Sequence, residues 1–311
     1  MNSLIKKMIT ISKLGKLGAM GNQLFQYAAL YGLYKKTGFE MRIPKPPKNV
    51  KGELKILGHT KDGHPLEEYD NCLDYFSISS KTYNPNQLII SEKTNNSFFN
   101  KLKINKKYRL KNTYFESHFN FDSQFFKIKD STDIEGYFQS EKYFEHCTEE
   151  IRNEFVIKEK YQKEAREKFQ VICGKYTTMI SAHIRRKGHE NSENQQIHKY
   201  PEIEYYLRAI NYFQSKIDNP QFLLFSDDIK WCKHKFQGTD VQFSTGNSSI
   251  IDFTMMSLCD HHILTPSSFS WWASWLNKNP KKEVIGPRGK LFGPDGPAII
   301  KDYFPGYIQL I

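Results

Sequence analysis

Short runs of consecutive apolar residues alternate with stretches of helical apolar spacing through the second half of the chain. Thr178-Met179-Ile180-Ser181-Ala182 and Gln221-Phe222-Leu223-Leu224-Phe225 have the pattern of strands covered on both faces. Val241-Gln242-Phe243 and His262-Ile263-Leu264 predict two more strands. Helical spacing predicts helices over 203–216 and 249–258, one near Trp231, and one after Ser270. The order from 178 to 285 is therefore β-α-β-(α)-β-α-β-α, which argues for a parallel sheet with helices on both faces.

The first half is less regular. A strand predicted over Met8 to Leu14 runs through Gly15, Leu17, Gly18 and Gly21 into Asn22 to Leu30, where Leu24, Tyr27, Ala28 and Tyr31 repeat at helical spacing. Strand, glycine turn and helix open an α/β unit, and Gly38 is the predicted helix stop. Met41 to Ile43 reads as a short strand. From Pro44 to about Asn112 the chain is rich in Lys, Asn, Pro and Gly, and irregular loops with short elements are expected. Asp133 to Gln139 predicts a strand, followed by a helix from Lys142 and a longer charged helix from Lys158 to Cys173. That last helix is a natural bridge between two domains, placed at 1–157 and 158–311. A length of 311 residues suits two cores of ordinary size.

Composition narrows the class. Apolar residues make up 39% and aromatics 14%, enough for packed cores. Forty-five basic against 34 acidic residues leave a net charge of +11, which would suit nucleic acid, acidic lipid headgroups or an anionic nucleotide. Cys72, Cys147, Cys173, Cys232 and Cys259 are odd in number and lack Cys-x-x-Cys spacing, so neither a disulfide framework nor a zinc site is expected. No window approaches a membrane span, and the sequence reads as a soluble, cytoplasmic protein whose basic surface would allow peripheral attachment to a membrane.

The candidate chemistry lies at the polar ends of the predicted strands. His183, Arg185 and Arg186 follow one; Ser226, Asp227 and Asp228 follow the next; Thr265, Ser267, Ser268 and Ser270 follow a third and lead into Phe269 and the aromatic stretch Trp271 to Trp275. Ligands of open α/β sheets bind beyond the carboxyl ends of the strands. Arginine offers a planar fork matched to phosphate oxygens, and hydroxyls with free N–H groups at a helix start make an anion cradle. Arg185 or Arg186 would complete a diphosphate clamp, and Asp227 or Asp228 would accept from a ribose or base. Each group also has a plain structural use: the serines and Asp228 as helix caps, the tryptophans as core.

Gly18-Ala19-Met20-Gly21-Asn22-Gln23-Leu24-Phe25-Gln26-Tyr27-Ala28 resembles the amino-terminal signature of the α-1,2-fucosyltransferases of glycosyltransferase family 11. Gly136 to Phe144 is similar to that family's central segment, and His183-Ile184-Arg185-Arg186 resembles the His-x-Arg-Arg donor motif of fucosyltransferases. Phe225 to Cys232 and Ser267 to Asn277 resemble its carboxy-terminal blocks. The resemblance implies a GT-B-like architecture of two Rossmann-like domains facing a central cleft. It implies transfer of L-fucose from GDP-fucose to the 2-hydroxyl of a galactoside in a glycan, with inversion and without a metal or other cofactor. His183, Arg185 and Arg186 would be catalytic and donor-binding. Asp227, Asp228, Ser267, Ser268, Phe269 and Ser270 would also bind the donor. Asn22, Gln23 and Gln139 would lie on the acceptor side.

One departure matters. The family usually follows His-x-Arg-Arg with Gly-Asp, whereas this chain reads Lys187-Gly188-His189-Glu190. Glu190 or His189 would replace the missing carboxylate, or the donor differs. Glu190, His189 and Asp227 are the candidates for a general base. The competing readings are a same-fold transferase using another nucleotide-linked deoxysugar and, from a different class, a basic nucleic-acid-binding protein. Against the latter, the basic residues are dispersed and no nucleic-acid module is recognisable, so no nucleic-acid partner is expected.

Overall fold

The computed structural model describes residues 7–45, 56–59, 65–67, 71–90, 107–174, 178–186, 200–289 and 302–311. The chain divides into two compact units, Met1–Val156 and Ile157–Ile311.

In the first unit, helix α1 (Met20–Thr37) is buried on nearly every side, as its unbroken run of Leu24, Phe25, Tyr27, Ala28, Ala29 and Leu30 requires. It starts where Gly18, at φ 79°, turns the chain beside the Asn22 side chain, and it stops at Gly38, whose left-handed φ of 72° lets its N–H return to the Tyr34 carbonyl. The predicted first strand is shorter than its apolar pattern. Ile9 and Thr10 make parallel bridges to Met41 and Asp133, and the chain then turns, because Ser12 gives both its N–H and its hydroxyl to the Asp133 carboxylate. Strands β1 (Asn112–Phe115) and β2 (Thr132–Glu135) pair in parallel, so the buried Ile9–Thr10 segment lies between Met41 on one side and β2 on the other. The strand predicted to reach Gln139 ends at Glu135, and Phe138 takes a left-handed φ of 51°. From Lys142 the chain forms two short 3-10 turns before helix α2 (Thr148–Glu154), so the expected helix there begins late. The Pro44–Asn112 region contains short parallel pairs, Ile43–Pro44 with Thr82–Tyr83 and Leu88–Ile90 with Tyr108–Leu110.

The second unit opens on helix α3 (Glu159–Cys173) and continues with β3 (Met179–Ile184), α4 (Ile203–Lys216), β4 (Gln221–Ser226), α5 (Ile229–Lys235) and β5 (Val241–Phe243). Then come α6 (Ser249–Leu258), β6 (His261–Ile263), α7 (Ser268–Leu276), β7 (Val284–Gly286) and β8 (Ile308–Leu310). The sheet order is β5-β4-β3-β6-β7-β8, and every pairing is parallel. That is the doubly wound order, with the first strand in the middle. All six residues of β3 are buried. Ile180, Ala182 and Ile184 pack with Phe222 and Leu224 against Tyr205, Tyr206, Ala209, Ile210 and Phe213 of α4. The alternate positions turn to the other face, where Ser181 hydrogen-bonds the buried His262 ring at 2.8 Å and the His183 ring meets Phe269. The last two strands, β7 and β8, lie outside the predicted set; β7 pairs with both β6 and β8, and β8 forms the edge of the sheet. Trp271 ties the last segment in place by donating its indole N–H to the Tyr303 carbonyl at 2.7 Å, and Trp271, Trp272 and Trp275 are core. Among the described residues no helix is long and apolar enough to cross a membrane.

Gly32 is where α1 meets the backbone of Tyr143: a Cβ there would sit well inside the contact distance of the Tyr143 carbonyl oxygen. Gly32→Ala should therefore destabilise the protein by about 1–3 kcal/mol despite its better helix propensity. Urea unfolding measures this, and an unchanged midpoint would contradict the packing described.

Candidate active site

The strand order sets the location. The chain leaves β3 toward one side of the sheet and reaches β6 on the other, so the carboxyl ends of these adjacent strands flank a topological switch point, the usual ligand position in such sheets. Register brings the candidates together: Phe225 is opposite His183 and Ser226 opposite Ile184, so Asp227 emerges beside Arg185 and Arg186.

His183 lies within β3, not after it as the apolar run suggested, and is only 6% exposed. Burial, aided by the Arg185 charge and opposed by Asp227, pushes its pKa down to about 3. The ring is therefore neutral near neutral pH. Its buried Nδ1 has no hydrogen-bond partner among the described residues.

Asp227 organises the two arginines. Its Oδ1 accepts the Arg186 backbone N–H at 2.8 Å, and its Oδ2 pairs with Arg185 Nη1 at 2.9 Å. With Arg185 43% exposed, that pair contributes little to stability and acts mainly to orient the guanidinium. The Arg186 guanidinium lies 4.2 Å from the centre of the Trp231 ring, an attractive cation–π arrangement, while its buried Nε has no partner among the described residues. Trp231 was not singled out from sequence as a site residue. Its aromatic position four residues after Asp227, one helical turn along, was the available signal. Tyr200, whose hydroxyl hydrogen-bonds Arg185, carries no such signal in the sequence.

Asp228 is committed differently: its Oδ1 caps α5 by accepting the Trp231 N–H at 3.0 Å. At α7 the expected serine cap is absent, since the Ser267 side chain makes no capping bond. Its carbonyl accepts from Trp271 N–H and from the buried Ser270 hydroxyl. The early N–H groups of α7 are thus left without a side-chain cap from Ser267, and the helix dipole adds positive potential there. Phe269, in the first turn, contacts the His183 ring at 5.5 Å and Phe253 at 5.3 Å, placing this helix start beside the end of β3. Ser268 is half-buried in the same turn.

In the first unit, Gln139 donates to Asn22 Oδ1 at 2.7 Å. Gln23 is fully buried; its Oε1 accepts the Cys72 N–H at 3.0 Å, which is a structural use. Lys187, Gly188, His189 and Glu190 lie outside the described residues. Among the described residues no group of three His, Cys, Asp or Glu is placed to hold a metal ion.

A model of glycosyl transferase family 11 matches residues 73–288. An alpha-1,2-colitosyltransferase of Escherichia coli is 30% identical over 277 residues, covering 87% of this chain and 89% of the relative. The galactoside alpha-(1,2)-fucosyltransferase 2 of Hylobates lar is 23% identical, covering 88% of this chain and 71% of that one. The crystal structure of POFUT1 in complex with GDP-fucose superposes with a TM-score of 0.52 at 10% identity, covering 90% of this chain and 98% of the other, and so shares the fold.

The depressed histidine pKa has a measurable consequence. Folded His183 and His262, both pushed to about 3, bind no proton at pH 5, whereas the unfolded chain takes one up at each below about 6.5. Their contribution to stability is whole above about pH 6.5 and is lost as pH falls toward 3. Each histidine adds up to about 1.4 kcal/mol per pH unit to that slope. His183→Asn should make the slope between pH 6 and 4 shallower by that amount in denaturant titrations. An unaltered slope would mean that folded His183 is protonated.

Proposed function

The chain belongs to glycosyltransferase family 11 and is a glycosyltransferase, and on that premise we propose that it moves L-fucose from GDP-fucose to the 2-hydroxyl of a galactoside in a glycan, with inversion and without a metal ion. The reading carries a GT-B-like architecture in which residues 158–311 bind the nucleotide sugar and residues 1–157 serve the acceptor.

One observation supports it above the others. At the switch point of the second unit, two arginines stand beside two buried polar atoms, His183 Nδ1 and Arg186 Nε, that lack partners among the described residues. A buried polar group costs free energy unless it is paired, so these two atoms beside the two guanidiniums suit a polar ligand. A diphosphate suits both guanidiniums and the start of α7.

In the proposed reaction the acceptor oxygen attacks the anomeric carbon. The bond from that carbon to the diphosphate oxygen breaks, and the electron pair leaves with GDP. Arg185 and Arg186 meet the charge that develops on the departing phosphate, the task a metal ion performs elsewhere. His183, neutral by burial, is suited to a hydrogen bond and not to a charge contribution. Asp227 holds the two arginines in register and is largely consumed by that task, which weakens its candidacy as general base. Asp228, as a cap, fixes the position of Trp231 and through it Arg186. Ser267, Ser268, Phe269 and Ser270 are assigned to the donor through the α7 start, and Asn22, Gln23 and Gln139 to the acceptor side, with Gln23 in support of the others.

A second donor is favoured by two findings: the colitosyltransferase relative is 30% identical, and Lys187-Gly188-His189-Glu190 replaces the usual Gly-Asp. Assays with a galactoside acceptor and a panel of nucleotide-linked deoxysugars, with and without chelator, decide between them. Turnover of GDP-fucose unaffected by chelator is the expected result; turnover of another donor alone would replace fucose in this reading. Arg186→Ala should lower transfer by about 100–1000-fold, while the thermal midpoint falls only by the lost Trp231 contact. An active Arg186→Ala enzyme would remove the clamp from that residue.

A further inference from the structure

The carboxyl edge of the first unit holds an acidic group that the reaction above leaves unused. Glu116 directly follows β1, and its N–H donates to the Glu135 carbonyl at the end of β2. Its carboxylate reaches across to the next turn, where Oε2 accepts the Tyr137 N–H at 2.6 Å and Oε1 the Phe138 N–H at 3.0 Å. Two local features are shaped around it. A Cβ at Gly136 would come within 2.7 Å of Glu116 Oε2, so only glycine admits the carboxylate. Phe138 holds its left-handed φ of 51°, a strain of the kind concentrated at functional sites. The same turn presents Gln139 to Asn22.

A switch point lies next to this turn. The central Ile9–Thr10 segment bridges Met41 on one side and Asp133 of β2 on the other, with β1 beyond, so ligands are expected beyond the ends of Ile9–Thr10 and β2, and Glu116 reaches that edge from β1 through its bonds to the turn after β2. Tyr137, whose N–H bonds the carboxylate, stacks its ring with that of Phe119 at 6.5 Å and 21°, and both are half-buried, leaving part of each in solvent. Flat apolar rings next to a hydrogen-bonding carboxylate fit a sugar, which has an apolar ring face and hydroxyl edges.

We propose that Glu116 is the general base that takes the proton of the acceptor hydroxyl, with the Phe119–Tyr137 pair holding the acceptor sugar beside it. This rests on the transferase reading above. The hydroxyl oxygen forms the new bond to the anomeric carbon, its proton passes to a Glu116 oxygen, and the electron pair of the broken bond leaves on GDP. The ionisation of Glu116 is suited to this: burial outweighs the two backbone N–H bonds and raises its pKa to about 7. The phenol of Tyr114, itself bonded to Asp122 at 2.8 Å, is the titratable group whose ionisation Glu116 pushes up, and Glu116 makes no ion pair among the described residues. The carboxylate is thus the reactive form above pH 7, and the rate should fall about tenfold per unit below it.

A purely structural anchor for the turn would share the hydrogen bonds but not the kinetics. In wild-type protein, kcat/KM for the acceptor should show an acidic limb near pH 7. Glu116→Gln should lower kcat by about 100-fold or more and erase that limb, with GDP affinity unchanged by calorimetry. Tyr137→Ala keeps its N–H to Glu116 and should raise acceptor KM about tenfold while the limb persists. Should Glu116→Gln fail to fold, the wild-type profile and Tyr137→Ala decide. No limb near pH 7, or Glu116→Gln transfer within tenfold of wild type, overturns the assignment to Glu116. Wild-type protein that transfers from no nucleotide sugar overturns the transferase reading itself.

Discussion

The burial of β3 on both faces constrains everything around the candidate site at its carboxyl end. A strand in the centre of a parallel sheet can satisfy its backbone only through its two neighbours, and its side chains must suit two helical layers. Polar cargo is therefore excluded from most of β3 and collects at its carboxyl end. Ser181 is accommodated by pairing with His262, and His183 by remaining neutral. The first residues free of the sheet are Arg185 and Arg186, and the neighbouring strand delivers Asp227 to meet them. The alignment of two parallel strands thus does the positioning, and Asp227 sets the final orientation.

Residues that looked like ligands from composition have divided into those that touch ligand-ready space and those that hold them there. Asp228 and Gln23 are committed to backbone groups, and Ser270 to its own helix. Asp227 serves the arginines, and the three tryptophans are core. What remains open toward a ligand is small: two guanidiniums, one neutral imidazole, and the first turn of α7. A small set of fixed dipoles in a partly buried setting is what charge stabilisation requires, because such groups need no reorganisation as charge develops.

The two units reuse one construction. Each places its earliest strand segment between parallel neighbours and leaves polar residues beyond neighbouring strand ends. In the second unit that edge is cationic, with Arg185 and Arg186. In the first it carries Glu116 bonded to two backbone amides of the turn that leads to Gln139, which in turn bonds Asn22 of α1. A cationic edge and a carboxylate edge are the two chemistries that glycosyl transfer from a nucleotide diphosphate calls for.

Apolar runs and helical spacing determined the second unit well, since six-residue buried strands and amphipathic helices such as α4 carry many positions of a single period. The α1 stop at Gly38 and the helix cap of Asp228 were also local matters of backbone conformation and reach, and so legible. The ends of elements were not. Strand Ile9–Thr10 stops where Ser12 finds Asp133, more than a hundred residues away, and β2 stops where Gly136 makes room for Glu116. His183 was read beyond a strand that in fact includes it, because the extra two positions are decided by pairing with Phe225 and Ser226. Trp231 under Arg186, the missing serine cap on α7, and the raised Glu116 carboxyl all depend on neighbours distant in sequence. The sequence by itself determined which residues could carry the chemistry; tertiary structure decided which are spent on structure and which stay available, because burial and hydrogen-bond satisfaction are properties of neighbours in space.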